Sequence, residues 1–386
     1  MIDNHEIIYV VAHSGAPNYG DELIPKLWLD FLTTKYPDKT IIVDTLRPNL
    51  AATFWGFEYK NVHFVDTMFQ LVERLNAKGV DFNHADDLID KYLTYKLPKM
   101  DFGIDLLLAA ESIHFVGGGY INGIARSFRG QFKLFLIAVA AKKHKPKMKL
   151  FATGLGLTPI TEQFVEKLND VIIPQFDFFE VRDEETAAVL PNAMFGFDDM
   201  FLAFSDTILA NGQGIKYTAD KPKINILLQR HLQNPEAIEA TLVKIFDYLK
   251  TRDDFDATTP INVVESISPD DGWLVNAIKN YTDNPIVFTS AKDLIWQGFP
   301  NAADSIWFTT RFHFHMIAAA NGFKGTFINT GGAYYDVKHA SLTKLETGWH
   351  NFVEDGQMTP TVSADFPKTA QELGNLKYQL AEKLYL

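Results

Sequence analysis

The stretch SIWFTTRFHFHMIAAANG, Ser305 to Gly322, places two imidazoles and a guanidinium where a strand hands over to a helix. Ser305–Thr309 reads as a buried strand, Thr310 as a helix N-cap, and Gly322 as the residue past the last apolar position, where helices commonly stop. Arg311 and His313 then fall in the first helical turn. A helix start offers unpaired backbone N–H groups and the positive end of the macrodipole, so a guanidinium added there makes a site for phosphate or carboxylate. His313 beside such an anion could shuttle protons. The same residues also fit a plain helix start whose polar groups face solvent or satisfy carbonyls. A metal site on His313 and His315 is not expected, because side chains two apart diverge on a helix and the sequence suggests no third ligand.

The remaining elements must bring partners to this turn. Glu6–Ser14 reads as a buried strand, followed by GAPNYGDE and a helical pattern over Leu23–Tyr36. Asp21 and Glu22 would lie in the first helical turn, where capping and a functional role are equally good accounts. Further strands are expected at Thr40–Thr45 and Asn61–Asp66, with a helix over Met68–Lys78. IHFVGGGYING, from Ile113, is a strand entering a glycine turn. Its glycines fall at 117, 118, 119 and 123, the last one residue late for the dinucleotide fingerprint, and no acidic residue follows at the required distance. No nicotinamide cofactor is therefore expected. Gly117, Gly118 and Gly119 instead permit a close backbone approach to a ligand. Strand Phe178–Val181 ends at Arg182 and Asp183, and the carboxylates Asp198 and Asp199 follow at a similar strand end.

Residues 211–223 are polar and non-periodic and read as a linker, after which strands and helices alternate from Ile224 onward. Arg230 and His231 follow the first of these strands, and Lys338 follows the glycine pair Gly331 and Gly332. The expected fold is α/β: two Rossmann-like, doubly wound domains, residues 1–210 and 224–365, with a final helix over 366–386 packing back on the body. A cleft between the two carboxyl edges would bring Asp21, the glycine turns and Arg182 toward Arg230, Arg311, His313 and Lys338.

Composition sets the outer limits. The chain has 386 residues, 47% hydrophobic and 22% charged, with a formal charge of −12, which argues against a general nucleic-acid binder or a binder of anionic membranes. It has no cysteine, which excludes disulfides and thiolate zinc sites and fits a reducing cytoplasm. MIDNHEIIYVV is unlike a signal peptide, and no apolar run reaches the roughly 18 residues of a spanning helix.

Taken together these residues resemble the polysaccharide pyruvyltransferase family. The resemblance runs through NYGDE (18–22), VGGGYI (116–121), GLGLTP (154–159), VRDEET (181–186), DDMFLAF (198–204), Arg230, TRFH (310–313), Tyr335 and Lys338. Asn122 and Gly123 stand where many relatives carry an acidic residue. The family resemblance implies a GT-B-like pair of domains and transfer of the enolpyruvyl carbons of phosphoenolpyruvate onto two sugar hydroxyls, giving a cyclic ketal and phosphate. It implies His313 and Asp21 as catalytic, and Arg311, Arg182, Arg230, Lys338, Asn18, Gly117, Gly118 and Gly119 as substrate-binding. Phosphoenolpyruvate would be a co-substrate, with no cofactor and no metal. The partners expected are that donor and a sugar acceptor, free or lipid-linked. A cytoplasmic location is expected, with a lipid-linked acceptor as one route to the membrane surface, and a homo-oligomer is left open. Two other readings fit the architecture: a sugar-nucleotide glycosyltransferase, and a catalytically silent carbohydrate-binding relative.

Overall fold

Ile7–Val11 (β1), IIYVV, is apolar and buried at every position, as a strand covered on both faces must be. The computed structural model describes residues 7–16, 18–124, 126–230, 233–268, 271–330, 333–352 and 359–386. His231, Gly331 and Gly332 lie outside the described residues, as do the first six. Around β1 run β2 (Thr40–Asp44), β3 (Val62–Val65), β4 (Ser112–Phe115), β5 (Lys149–Leu155), β6 (Phe178–Val181) and β7 (Met194–Phe195), in the order β3-β2-β1-β4-β5-β6-β7. All of these pairings are parallel. The second domain begins with β8 (Tyr217–Thr218) and holds β9 (Ile224–Leu227), β10 (Ile261–Val264), β11 (Ile286–Thr289), β12 (Phe299–Pro300), β13 (Ile306–Thr309) and β14 (Lys324–Phe327). Its five-stranded parallel sheet has the order β11-β10-β9-β13-β14, and β8 pairs separately with β12. Part of the stretch read as an irregular linker is thus strand, tied to the second domain.

In each sheet the chain leaves the centre in both directions, so a crevice opens at the carboxyl ends of the central strands: between β1 and β4 in one sheet, and between β9 and β13 in the other. The two crevices face each other. A shared apolar core joins the domains: Val10 and Leu27 belong to the same buried cluster as Trp307 and Phe314. At its centre the Tyr19 ring lies 5.5 Å from Phe314 and 6.3 Å from Phe299. The backbone joins as well, because Tyr19 N–H donates to Ser266 O at 3.0 Å.

The last helix, Phe366–Leu384, starts with proline in its first turn and returns to the first domain. Tyr378 packs edge-on against Phe31 at 5.3 Å, and Lys35 bonds Glu382 at 2.7 Å. Among the described residues no helix is long and apolar enough to cross a membrane.

Candidate functional site

A cavity of about 310 Å³ lies where the two crevices meet. Its first-domain wall carries His13, Asn18, Gly20, Asp21, Gly119 and Arg182, and its second-domain wall Arg311, His313, Tyr335 and Lys338. Two helices start here. Tyr19–Lys35 follows β1, Phe312–Ala320 follows β13, and neither has a side-chain N-cap bond. Their first-turn N–H groups and dipoles therefore bias the cavity toward anions.

The local structure corrects one detail of the second helix. Its N-cap is Arg311, in extended conformation, and Thr310 precedes it. The Thr310 hydroxyl accepts the Gln229 N–H at 3.0 Å, so it ties β13 to the end of β9 in place of capping. Asn18 is the N-cap of the first helix, yet its amide is spent on Asp21, donating from Nδ2 to Oδ2 at 2.7 Å.

Each cation is held by a carboxylate or a ring. Arg311 Nη2 meets both oxygens of the fully buried Asp271, at 2.8 and 3.0 Å. Asp271 also accepts the N–H groups of Ser266 and Ile267, so it fixes the loop after β10 together with the guanidinium. Arg182, at the end of β6, bonds Asp198 and lies 5.2 Å from the Phe312 ring centre. His313 Nε2 lies 3.4 Å from the same Asp198 oxygen, so a first-domain carboxylate meets a second-domain imidazole. The Asp198 carboxyl is held well below its usual range, since Arg182 and then His313 outweigh the opposing effect of burial. Lys338, partly exposed in the cavity wall, is pushed down to about 8, by desolvation first and by the Arg182 charge second. Burial raises the Asp21 carboxyl, but His13, His313 and Lys338 more than compensate and hold it below normal.

The glycine turn reaches the cavity through Gly119. Gly117 N–H donates to Asp199 Oδ2 at 2.8 Å, and a Cβ on Gly117 would come within 2.9 Å of the Asp199 Cβ. Asp199 Oδ2 also accepts from Thr153 and from the Trp28 indole, each at 2.7 Å. Its other oxygen lies 3.0 Å from Lys377 of the last helix, which in turn bonds Glu180 at 2.6 Å. Asn122, where many relatives are expected to be acidic, is buried and anchors the turn, donating to Gly119 O at 2.6 Å and accepting the Ile124 N–H at 2.9 Å.

The cavity thus gathers His313, Asp21, Arg311, Arg182, Lys338, Asn18 and Gly119, with Gly117 and Gly118 in the turn behind. Arg230 is placed elsewhere. Its guanidinium bonds Glu239 at 3.2 Å, lies 4.1 Å from the Trp273 ring centre, and is not among the residues that line the cavity. His315 is fully buried, with Nδ1 3.1 Å from His339 Nδ1 and Nε2 2.9 Å from the Thr347 hydroxyl, and burial keeps it neutral. Among the described residues no group of three or more His, Asp or Glu is arranged to hold a metal ion. The sequence reading missed His13, whose Nδ1 lies 3.4 Å from Asp21 Oδ2, and Asp271, the anchor of Arg311. The available signal for His13 was its place just past a buried strand and eight residues before Asp21.

Gly20 shows how closely the domains approach. A Cβ there would lie 1.9 Å from His313 Nδ1. Gly20→Ala should therefore displace the imidazole, and lower turnover by about 10- to 100-fold. Its melting temperature should hold, because alanine in a helical turn is otherwise favourable by about 0.5–1 kcal/mol. Steady-state rates and a thermal melt check both halves of this expectation.

Several solved structures align along nearly the whole chain. An S. aureus MnaA–UDP co-structure aligns with TM-score 0.51 at 8% identity, covering 97% of this chain and 94% of that one. UDP-GlcNAc 2-epimerase from Neisseria meningitidis bound to UDP-GlcNAc gives 0.46 at 12%, covering 98% and 99%. A glycosyltransferase from Rickettsia africae gives 0.46 at 12%, covering 99% and 93%. At such identities the MnaA alignment speaks for the fold alone, two Rossmann-like domains facing a cleft in the GT-B manner. No curated protein matches the chain. The sequence model of the polysaccharide pyruvyl transferases matches residues 18–331. That span holds every residue named above in the cavity except His13, Tyr335 and Lys338, and the chain belongs to the polysaccharide pyruvyl transferase family.

Proposed function

We propose that the cavity binds phosphoenolpyruvate and that the protein transfers its enolpyruvyl carbons to two hydroxyls of a sugar, forming a cyclic ketal and releasing phosphate. The observation that carries this reading, beside the family, is the meeting of Arg182, Arg311, Lys338 and His313 with two helix starts in one cavity. The donor bears a phosphate and a carboxylate, and Arg182 and Arg311 are already fixed by Asp198 and Asp271, so little reorganisation is needed to meet them.

Proton addition to C3 of the donor makes C2 oxocarbenium-like. One acceptor hydroxyl adds to C2 and loses its proton. The second hydroxyl then displaces phosphate, breaking the bond between C2 and the bridging oxygen, and its proton leaves with the phosphate. The net change is one C–O bond broken, two formed, and one proton gained at C3. In this scheme His313 donates the proton to C3, and Asp21 lies on the wall that faces the acceptor. Lys338 neutralises the leaving phosphate.

Incubation with phosphoenolpyruvate and a panel of galactose, glucose and mannosamine acceptors tests the proposal. Ketal and phosphate should form only when both substrates are present. Turnover with a sugar nucleotide as the sole donor would contradict it, and so would binding without turnover in every acceptor. Lys338 adds a pH signature. A lysine lowered to about 8 is charged below that pH and neutral above it, so KM for phosphoenolpyruvate should rise as pH climbs through about 8. Lys338→Met should show a raised KM without this dependence, which a KM–pH profile from pH 7 to 9.5 reads directly (roughly the range set by the lysine's shift).

A further inference from the structure

The ketal transfer, on which this inference rests, moves protons at separate places: one is added at C3 and two leave acceptor hydroxyls. A single imidazole on one wall serves only one of these places. The opposite wall carries a second. His13 follows β1, its side chain is 12% exposed, and it lines the same cavity as His313. Its ring stacks on Tyr120, with centroids 5.9 Å apart and planes 12° from parallel, and meets Phe128 edge-on at 6.5 Å. Those contacts leave the ring little freedom to turn. Nδ1 is buried without a hydrogen bond and faces Asp21 Oδ2 at 3.4 Å as an ion pair, so Nε2 is the nitrogen left to a ligand.

The arrangement repeats across the cavity. His313 Nε2 lies 3.4 Å from Asp198 Oδ2, and His13 Nδ1 lies 3.4 Å from Asp21 Oδ2. The wall that carries His313 also carries Arg311 and Lys338, and Arg182 shares the Asp198 oxygen that His313 faces, so this side suits the anionic donor. The His13 side offers Phe128 and Ile124 as apolar surface beside the imidazole, which suits a sugar ring.

We propose that His13 is the base that takes the proton of the first acceptor hydroxyl, the one that adds to C2, opposite His313, with Asp21 as the carboxylate beside the His13 ring; the second hydroxyl's proton leaves with the phosphate. As the first hydroxyl oxygen bonds to C2, its proton passes to His13 Nε2, and Asp21 stabilises the imidazolium. Asp21 is a positioning residue in this scheme and acts through His13.

The test uses the full chain, phosphoenolpyruvate, and the acceptor from the panel that gives wild-type turnover. His13→Asn keeps a donor where Nδ1 was and deletes the nitrogen facing the ligand. His13→Gln and Asp21→Asn are the companion variants, and a thermal melt certifies that each is folded. The expected result for both His13 variants is a fall in kcat of about 100-fold or more, with KM for phosphoenolpyruvate within about threefold of wild type. The acidic limb of the kcat–pH profile, where the base must lose its proton, should disappear. Asp21→Asn should keep that limb and move it. Folded His13 variants with kcat within about fivefold of wild type, or with reduced kcat and an intact acidic limb, would show that His13 only packs against Tyr120 and would overturn the proposal. Wild-type protein that makes no ketal with any acceptor would instead remove the functional reading itself, and this inference with it.

Discussion

His313→Ala is expected to lower kcat for ketal formation by about 10²- to 10⁴-fold, the usual worth of a positioned proton-transfer group. The imidazole touches both halves of the site. It projects from the helix start after β13, meets Asp198 of the first domain at 3.4 Å, and occupies the space that a side chain on Gly20 would need. KM for the donor should change less, because Arg182, Arg311 and Lys338 remain. The fold should persist, since the ring borders a cavity and its loss leaves no charge buried without a partner: Asp198 keeps Arg182. Initial rates of phosphate release and a thermal melt separate a catalytic loss from a structural one. A kcat within about tenfold of wild type would move the proton-transfer role elsewhere.

Lys377→Met carries the largest expected loss of stability, about 3–5 kcal/mol. Lys377 is fully enclosed and bridges Glu180 and Asp199, each of which also holds a glycine turn: Glu180 accepts the Gly154 N–H at 3.0 Å and Asp199 accepts that of Gly117 at 2.8 Å. Burial lowers the lysine's pKa, but Glu180 and Asp199 outweigh it and hold the pKa above normal, so the cation is integral to the cluster. Methionine fills similar volume and leaves two buried carboxylates without their counter-charge. Chemical denaturation should report a lower midpoint, and donor binding should weaken as well because Asp199, which anchors the Gly117–Gly119 turn, loses its counter-charge. A stability change below about 1 kcal/mol would mean that water enters and replaces the ammonium.

The two examples also show what was legible in the residues. Strand and helix alternation, with glycine turns following apolar runs, was sufficient for the two-sheet fold, because β1, β4 and β13 are buried throughout and pattern reports burial directly. Arg311 and His313 were legible because a helix start fixes where their backbone points. Arg230 was not, since a residue just past a strand can turn either way, and the Trp273 ring and Glu239 draw it outward. The joining contacts were hidden for the same reason. His313 meets Asp198 across 115 positions and Lys377 meets Glu180 across 197, separations at which no periodicity carries information. Gly20 reads as an unremarkable residue of a helical first turn until the second domain is brought against it.

The central claim is that phosphoenolpyruvate is broken at its C2–O bond. Phosphoenolpyruvate labelled with ¹⁸O at the bridging oxygen tests this in one measurement, with the released phosphate analysed by mass spectrometry after turnover with a sugar acceptor. The phosphate should keep the label, because the bridging oxygen leaves with phosphorus when a sugar hydroxyl takes its place on carbon. Unlabelled phosphate would place the cleavage between phosphorus and oxygen and would contradict ketal transfer.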